Sequence, residues 1–252
     1  MELFSLKEKS AVVTGGGTGI GFGIASGLLE AGADVVCVYS SHEPTELMEL
    51  GKTLGRRVVP VQADLKERDG IKRAYEEALK ALPGISILVN NAGICPRSPA
   101  LDYTEQMWDD VIAVDESAVF FLSQLFARHW VENKTPGKII NLASMLSFLG
   151  GFNTAAYTAS KHAVVGITKV LANEWAPYHI NVNAIAPGWI KTNLSAPLRK
   201  DPERDASVKA RIPMGDWGDP SDFKGVVVLL ASAASDYITG VVIPVDGGYL
   251  TK

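Results

Sequence analysis

Ala11-Val12-Val13-Thr14-Gly15-Gly16-Gly17-Thr18-Gly19-Ile20-Gly21 starts as a short apolar run and ends as a glycine-rich turn. A helix-length apolar segment, Gly19–Ala31, follows directly. A turn of this kind lets backbone approach a pyrophosphate, and the next helix aims its first N–H groups and positive dipole end at the anion. Glycines often serve only a tight turn. Here they leave a first strand and open a first helix, which is the context that separates a dinucleotide loop from a plain bend. The stretch therefore reads as a dinucleotide-binding loop, with Gly15, Thr18, Gly19, Ile20 and Gly21 against the cofactor.

Outward from the loop, apolar runs at Val35–Tyr39, Val58–Gln62, Ile87–Asn90, Lys138–Leu142, Val182–Ala186 and Val241–Val245 alternate with helical stretches. The helical stretches include Ile71–Leu82, Trp108–Val131 and Thr158–Trp175. The runs are rich in Val and Ile and do not alternate with polar residues, which suits strands covered on both faces. Alternation of this kind predicts a parallel sheet with right-handed crossovers. The expected fold is α/β, a single-domain, Rossmann-like, doubly wound sheet of about seven strands spanning residues 1–252. Lys191–Asp219 is the one polar, irregular stretch, with Pro197, Pro202 and Pro213. It follows a strand's C-terminal end, where open α/β sheets hold ligands, so residues 191–219 are expected to form a substrate lid; a decorative excursion is the alternative.

Bulk properties narrow the function classes. The 252 residues are 47% hydrophobic and 21% charged, with a net charge of −4, which gives nucleic acid no electrostatic footing. The N-terminal Met1–Ser10 carries Glu2, Lys7, Glu8 and Lys9, unlike a signal peptide. No uninterrupted apolar stretch approaches the ~18 residues that a membrane span requires, and Gly225–Ala234 reads as a buried helix. Cys37 and Cys95 make neither a disulfide framework nor a metal spacing. The expectation is a cytoplasmic protein with no metal, membrane or nucleic-acid partner.

Three further segments extend the cofactor site. Asp64, with Leu65 beside it, follows the third strand, where a carboxylate can accept from an adenine amino group; a helix N-cap is the alternative. Asn90-Asn91-Ala92-Gly93 ends the fourth strand, and small residues there admit a ribose. Pro187-Gly188, with Ile190 and Thr192, ends the sixth, within reach of a nicotinamide carboxamide. An acidic residue ending the second strand would hold a ribose 2′-hydroxyl, whereas a basic one would welcome a 2′-phosphate. Tyr39-Ser40-Ser41-His42-Glu43 has neither at that place, and Thr18 stands where a basic residue would favour the phosphate. Two absent cations tilt the reading to NAD. NADP stays open, because Ser40, Ser41 and His42 offer hydrogen bonds.

Tyr157-Thr158-Ala159-Ser160-Lys161 sets a phenol and an ammonium four residues apart on one helix face. A free phenol, with a pKa near ~10, is a poor base at neutral pH. A nearby ammonium favours the phenolate. Ser144 follows the strand Lys138–Leu142 and can donate to the same substrate oxygen that Tyr157 serves. Singly, a serine after a strand is a turn residue and a helical tyrosine packs. Together and downstream of a dinucleotide loop, Ser144, Tyr157 and Lys161 read as a catalytic set.

These motifs, with the closing Val245-Asp246-Gly247-Gly248, resemble the short-chain dehydrogenase/reductase family over essentially the whole chain. The resemblance implies hydride transfer at the nicotinamide C4, Tyr157 as proton donor or acceptor, and Lys161 on the nicotinamide ribose. It also implies a homotetramer packed through the two long helices and the C-terminal tail. Within the family, Lys138–Phe148, Ala172–Ala176, Arg211-Ile212-Pro213 and Trp217–Asp222 resemble the group of 2-dehydro-3-deoxy-D-gluconate 5-dehydrogenases. The implied substrate is a small sugar acid, held by Ser144, Tyr157, Met145 and Arg97. Arg97 matches an arginine of that group and suits a bidentate carboxylate grip, with an exposed loop arginine as the alternative. A gluconate 5-dehydrogenase-like enzyme and a 3-oxoacyl reductase are rival enzymes; a dinucleotide-binding sensor or scaffold is the rival from another class. The intact Ser144, Tyr157 and Lys161 weigh against the last. One departure bears on it. Asp115 stands where the family has an Asn that holds a relay water, and its charge is expected to pair with Lys161 and blunt the lysine's effect on Tyr157.

Overall fold

The computed structural model describes residues 2–252; Met1, where the charged leading segment begins, lies outside them. Seven strands form one parallel sheet: β1 (Ser10–Thr14), β2 (Asp34–Tyr39), β3 (Val58–Gln62), β4 (Ile85–Asn90), β5 (Gly137–Leu142), β6 (Ile180–Pro187) and β7 (Val242–Val245). Their order is β3-β2-β1-β4-β5-β6-β7, so the winding direction reverses between β1 and β4. The carboxyl ends of the strands on either side of that reversal leave a crevice, and the glycine loop sits at its lip.

The helices that matter here are α1 (Gly19–Glu30), α2 (Thr45–Leu54), α3 (Arg68–Ala81), α4 (Glu105–Ile112), α5 (Ala118–Asn133), α6 (Ala155–Trp175), α7 (Ala196–Lys200), α8 (Pro202–Arg211) and α9 (Phe223–Ala231). Successive strand residues serve opposite layers. Val12 packs with α3 and α5 residues such as Ala74 and Phe126. Its neighbours Ala11 and Val13 pack with Ile24, Leu28 and Val227 of α1 and α9. Two buried faces explain why the strands read as unbroken apolar runs rather than alternating ones. The edge strands β3 and β7 keep partly exposed positions.

Three departures from the expected layout have local causes. The α2 helix has only Leu47 and Gly51 buried, too faint an apolar stripe to stand out. The expected long helix across residues 108–131 is interrupted by a π-helical turn, Ala113–Ser117. The supposedly irregular 191–219 stretch contains α7 and α8. Pro202 starts α8 rather than breaking it, because proline at a first helical position loses no bond, and Asp201 caps the end by accepting from Glu203 N and Arg204 N at 3.0 and 3.2 Å. Among the described residues no helix is long and apolar enough to cross a membrane.

Candidate active site

A cavity of about 960 Å³ runs along the carboxyl edge of the sheet. Every residue that the sequence placed against cofactor or substrate lies on its wall, from Gly15 and Asp64 through Asn91 and Gly93 to Ser144, Tyr157, Lys161 and Thr192. Arg97 and Met145 lie there too. Asp115 does not: it is fully buried behind Gly93. Asp64 follows β3 and Ser144 follows β5, four strand spacings apart, which is about 19 Å across the sheet.

At the glycine end the residues fit an extended anionic cofactor. Gly21 is crowded by the carbonyl of Gly15 and the amide of Asn91, so that any β-carbon would collide with both. Thr18 precedes α1 without a side-chain cap bond, which leaves the first-turn N–H groups for an external acceptor. Thr14 Oγ1 accepts from the backbone N–H groups of Asn91 and Ala92 at 3.0 and 2.9 Å, and Asn91 Nδ2 donates to Thr14 O at 2.8 Å. These bonds tie the ends of β1 and β4 together beneath the loop. Asp64 does not cap α3, whose N-cap is Glu67; it closes its own turn by accepting from Lys66 N at 3.0 Å and stays exposed on the wall.

The chemical end is built on β5 and α6. Ser144 caps a short turn, accepting from Leu146 N at 3.1 Å, so its hydroxyl proton remains free to donate elsewhere. Ser147 holds both partners in place. It accepts from Ser144 N at 3.1 Å and donates to Lys161 O at 2.6 Å. Tyr157 and Lys161 stand one turn apart on α6, with Lys161 Nζ 5.3 Å from the phenol ring centre. Nζ donates to Leu142 O at 2.9 Å and lies 3.3 Å from Asp115 Oδ2. That second contact is an ion pair without hydrogen-bond alignment, since Oδ2 has no hydrogen-bond partner. Asp115 Oδ1 accepts from Ile94 N at 2.8 Å. With one ammonium proton spent on Leu142, at least one remains for a ligand.

Electrostatics follow from this packing. Burial pushes the Asp115 carboxyl up, and Lys161 offsets part of that rise. Burial alone would pull the Lys161 ammonium down, but Asp115 and Tyr157 together hold it above its usual value. Burial also raises the Tyr157 phenol; Lys161 pulls it back, Asp115 weakens that pull, and the Ser144 hydroxyl favours the phenolate. The Asp115 charge opposes the lysine at the phenol.

Sequence reasoning missed several parts. Ser147 is legible in hindsight as the fourth residue of a Ser-x-x-Ser box. A buried chain of amides and hydroxyls beneath the site, Ser123–Asn90–Asn141–Thr168, carries no such signature, because its members lie on four different elements. Arg204 and Ser207 also line the cavity, as does Arg211. No sequence signal joins them as a set, because only the helix α8 brings them onto one face. Among the described residues no group of three or more His, Cys, Asp or Glu is placed to hold a metal.

Against known proteins, residues 15–250 match the family model described as enoyl-(acyl carrier protein) reductase. The 2-dehydro-3-deoxy-D-gluconate 5-dehydrogenase of Escherichia coli strain K12 is 50% identical over 252 residues, covering all of this chain and 99% of the relative. The enzyme of the same name from Bacillus subtilis strain 168 is 47% identical, covering all of this chain and 98% of the relative. A crystal structure of a gluconate 5-dehydrogenase from Burkholderia cenocepacia J2315, in complex with NADP and tartrate, superposes with a TM-score of 0.91 at 35% identity, covering all of this chain and 98% of that one.

Proposed function

The chain belongs to the short-chain dehydrogenase/reductase family, and on that premise we propose that it is a 2-dehydro-3-deoxy-D-gluconate 5-dehydrogenase working with NAD. It is an NAD(P)-dependent oxidoreductase acting on CH–OH groups. The observation that carries the proposal is the convergence of Ser144, Tyr157 and Lys161 on one wall of a cavity whose other end is the glycine loop. Full-length identity to the two enzymes of that name supports the sugar-acid substrate.

Bound along the crevice, the nicotinamide cofactor supplies the hydride acceptor in oxidation and the donor in reduction. Gly15, Thr18, Gly19, Ile20 and Gly21 hold its pyrophosphate, Asp64 and Leu65 its adenine, and Asn91, Ala92 and Gly93 its ribose. Pro187, Gly188, Ile190 and Thr192 orient the nicotinamide. Tyr157 takes the hydroxyl proton as the carbinol carbon loses its hydride, and returns it in the other direction. Ser144 donates to the same oxygen, and Met145 shapes the wall beside it. Lys161 keeps one proton for the cofactor ribose and favours the phenolate. Asp115 tunes that pair from behind Gly93. The 191–219 segment acts as the lid, and the cavity lining by Thr192, Arg204 and Val208 supports that role. The same reading carries a cytoplasmic location and a homotetramer. Exposed Trp108 on α4 and Val170 on α6, 43% and 44% accessible, supply apolar surface for such packing.

A panel of sugar acids and polyols, followed by cofactor absorbance with NAD(H) and NADP(H), tests the proposal. Highest kcat/KM on 2-dehydro-3-deoxy-D-gluconate is the expected outcome. Highest kcat/KM on gluconate, or on a 3-oxoacyl thioester, would transfer the chain to one of the rival activities. Turnover of nothing in the panel would favour a binding role without chemistry.

A further inference from the structure

On α8, Arg204, Ser207, Val208 and Arg211 all line the cavity. Their spacing of three, four and seven residues is one helical face. Asp205 and Lys209 of the same helix pair with each other at 3.0 Å, and Lys209 also reaches Asp216 beyond the helix at 3.4 Å. The two arginines differ. Among the described residues neither Arg204 nor Arg211 has a carboxylate partner, and neither does Arg97 on the loop after β4. The only carboxylate on the described cavity wall is Asp64, at the β3 end. Lys66, also at that end, is already paired with Asp110 at 2.9 Å. The catalytic end of the cavity thus holds guanidinium charge with no counter-ion.

The helix carrying those charges is held in a fixed orientation. Trp217 Nε1 donates to Asp205 Oδ1 at 2.7 Å, and Val208 and Ile212 pack with Met145, Trp217 and buried Tyr249. Arg211 lies over the Tyr249 ring, with its central carbon 4.5 Å from the ring centre. Stacking of that kind places a guanidinium plane while leaving its N–H fork unspent. An unpaired, pre-placed fork at the mouth of a site suits one class of ligand group, a planar carboxylate taken in two parallel hydrogen bonds.

We propose that Arg211, stacked on Tyr249 and assisted by Arg204, is the carboxylate-recognising element of the substrate site, and that Arg97 is at most its auxiliary. This rests on the sugar-acid reading above and assigns the residues that select the acid.

The test uses two measurements on Arg211→Met, Arg204→Met, Arg97→Met and Arg211→Lys. The first is the Kd of tartrate for the NADH-loaded protein, read from nicotinamide fluorescence and independent of turnover. The second is steady-state KM and kcat for 2-dehydro-3-deoxy-D-gluconate, with KM for NAD as internal control. Arg211→Met is expected to weaken tartrate and raise the sugar-acid KM by roughly ten- to a hundredfold, the range of charge-assisted bonds, with KM for NAD within about twofold. Arg204→Met should show a smaller loss in the same direction, and Arg97→Met less still. Arg211→Lys should recover only part, because an ammonium has no fork. Unchanged tartrate affinity in both α8 variants overturns the proposal, as does a rise in the cofactor KM that matches the loss. Arginine-dependent tartrate binding by a wild type that oxidises no sugar acid would leave this subsite standing and remove the proposed reaction. Sugar-acid turnover indifferent to Arg204 and Arg211 would do the reverse.

Discussion

Tyr157 can exchange a proton with substrate only if its phenolate is accessible near working pH, and its surroundings pull in opposite directions. Burial raises the phenol, Lys161 lowers it, and Asp115 gives back part of what the lysine achieves. Removing the hydroxyl removes the proton exchange and little else. Tyr157→Phe should therefore lose ~10²–10⁴-fold in kcat while NADH binding, followed by fluorescence, stays unchanged. A variant keeping more than about a tenth of wild-type kcat would end the assignment. Asp115 has a subtler signature. With its charge gone, the Lys161 field at the phenol is no longer opposed, so the phenol's pKa falls. Asp115→Asn should shift the rising limb of the oxidative kcat profile toward lower pH, with little change in KM for NAD. A limb that stays in place would mean that the carboxylate acts only as a backbone acceptor for Ile94. Restored turnover in Asp115→Asn from an inert wild type would instead make the natural protein a non-catalytic binder.

The element that positions Asp115 is the π-helical turn Ala113–Ser117, wedged between α4 and α5. A wider turn shifts the register of one side chain without ending the helix, and such bulges commonly mark functional positions. Here it lays the Asp115 carboxylate against Gly93, where an added β-carbon would come within 2.6 Å of Oδ2. Gly93→Ala should therefore lower Tm by about 2–12 °C, taking overpacking at ~1–3 kcal/mol and a domain of this size at ~2–4 °C per kcal/mol. In an Asp115→Ala background the same change should cost little, because the colliding atoms are gone. Additive losses in that double-mutant cycle would show that the crowding comes from elsewhere. A second element, α8, depends on its Asp201 cap. Asp201→Ala removes about 1 kcal/mol of helix stability. It should raise KM for sugar acid more than KM for NAD, if α8 holds the acid.

Across the whole molecule, one crevice at the β1/β4 switch point joins two chemically distinct ends. The outer end decides between the cofactors. Tyr39 and Ser40 line it, and the exposed Ser41 Oγ and His42 Nδ1 bond to each other at 2.8 Å. Glu43 and Glu46 border an adjacent cleft with Gly17 and Thr18. Carboxylates beside the glycine loop, with no unpaired cation among the described wall residues there, disfavour a 2′-phosphate. Steady-state kcat/KM should therefore favour NAD over NADP by at least about tenfold. Preference for NADP, the cofactor in the crystal of the gluconate 5-dehydrogenase relative, would overturn this and mean that Ser40, Ser41 and His42 form a phosphate pocket.

The architecture and the reaction class were legible in the residues. Apolar runs at strand length, separated by helix-length segments, allow few folds, and a phenol and an ammonium four residues apart on a helix meet through local geometry alone. Gly15 through Gly21, and Tyr157 with Lys161, were legible for that reason: each motif is contiguous or within one turn, whereas Ser144 reaches Tyr157 only because β5 and α6 pack together. The tertiary structure alone decided the long-range pairings. Asp115 and Lys161 are 46 positions apart in the chain, and their 3.3 Å ion pair exists only because a π-turn and α6 meet behind Gly93. Arg211 reads as an ordinary charged residue near the end of a polar stretch until α8 exists and Tyr249, 38 positions later, is folded beneath it. Local backbone preferences cannot encode such meetings, because they depend on which buried surfaces the sheet brings face to face.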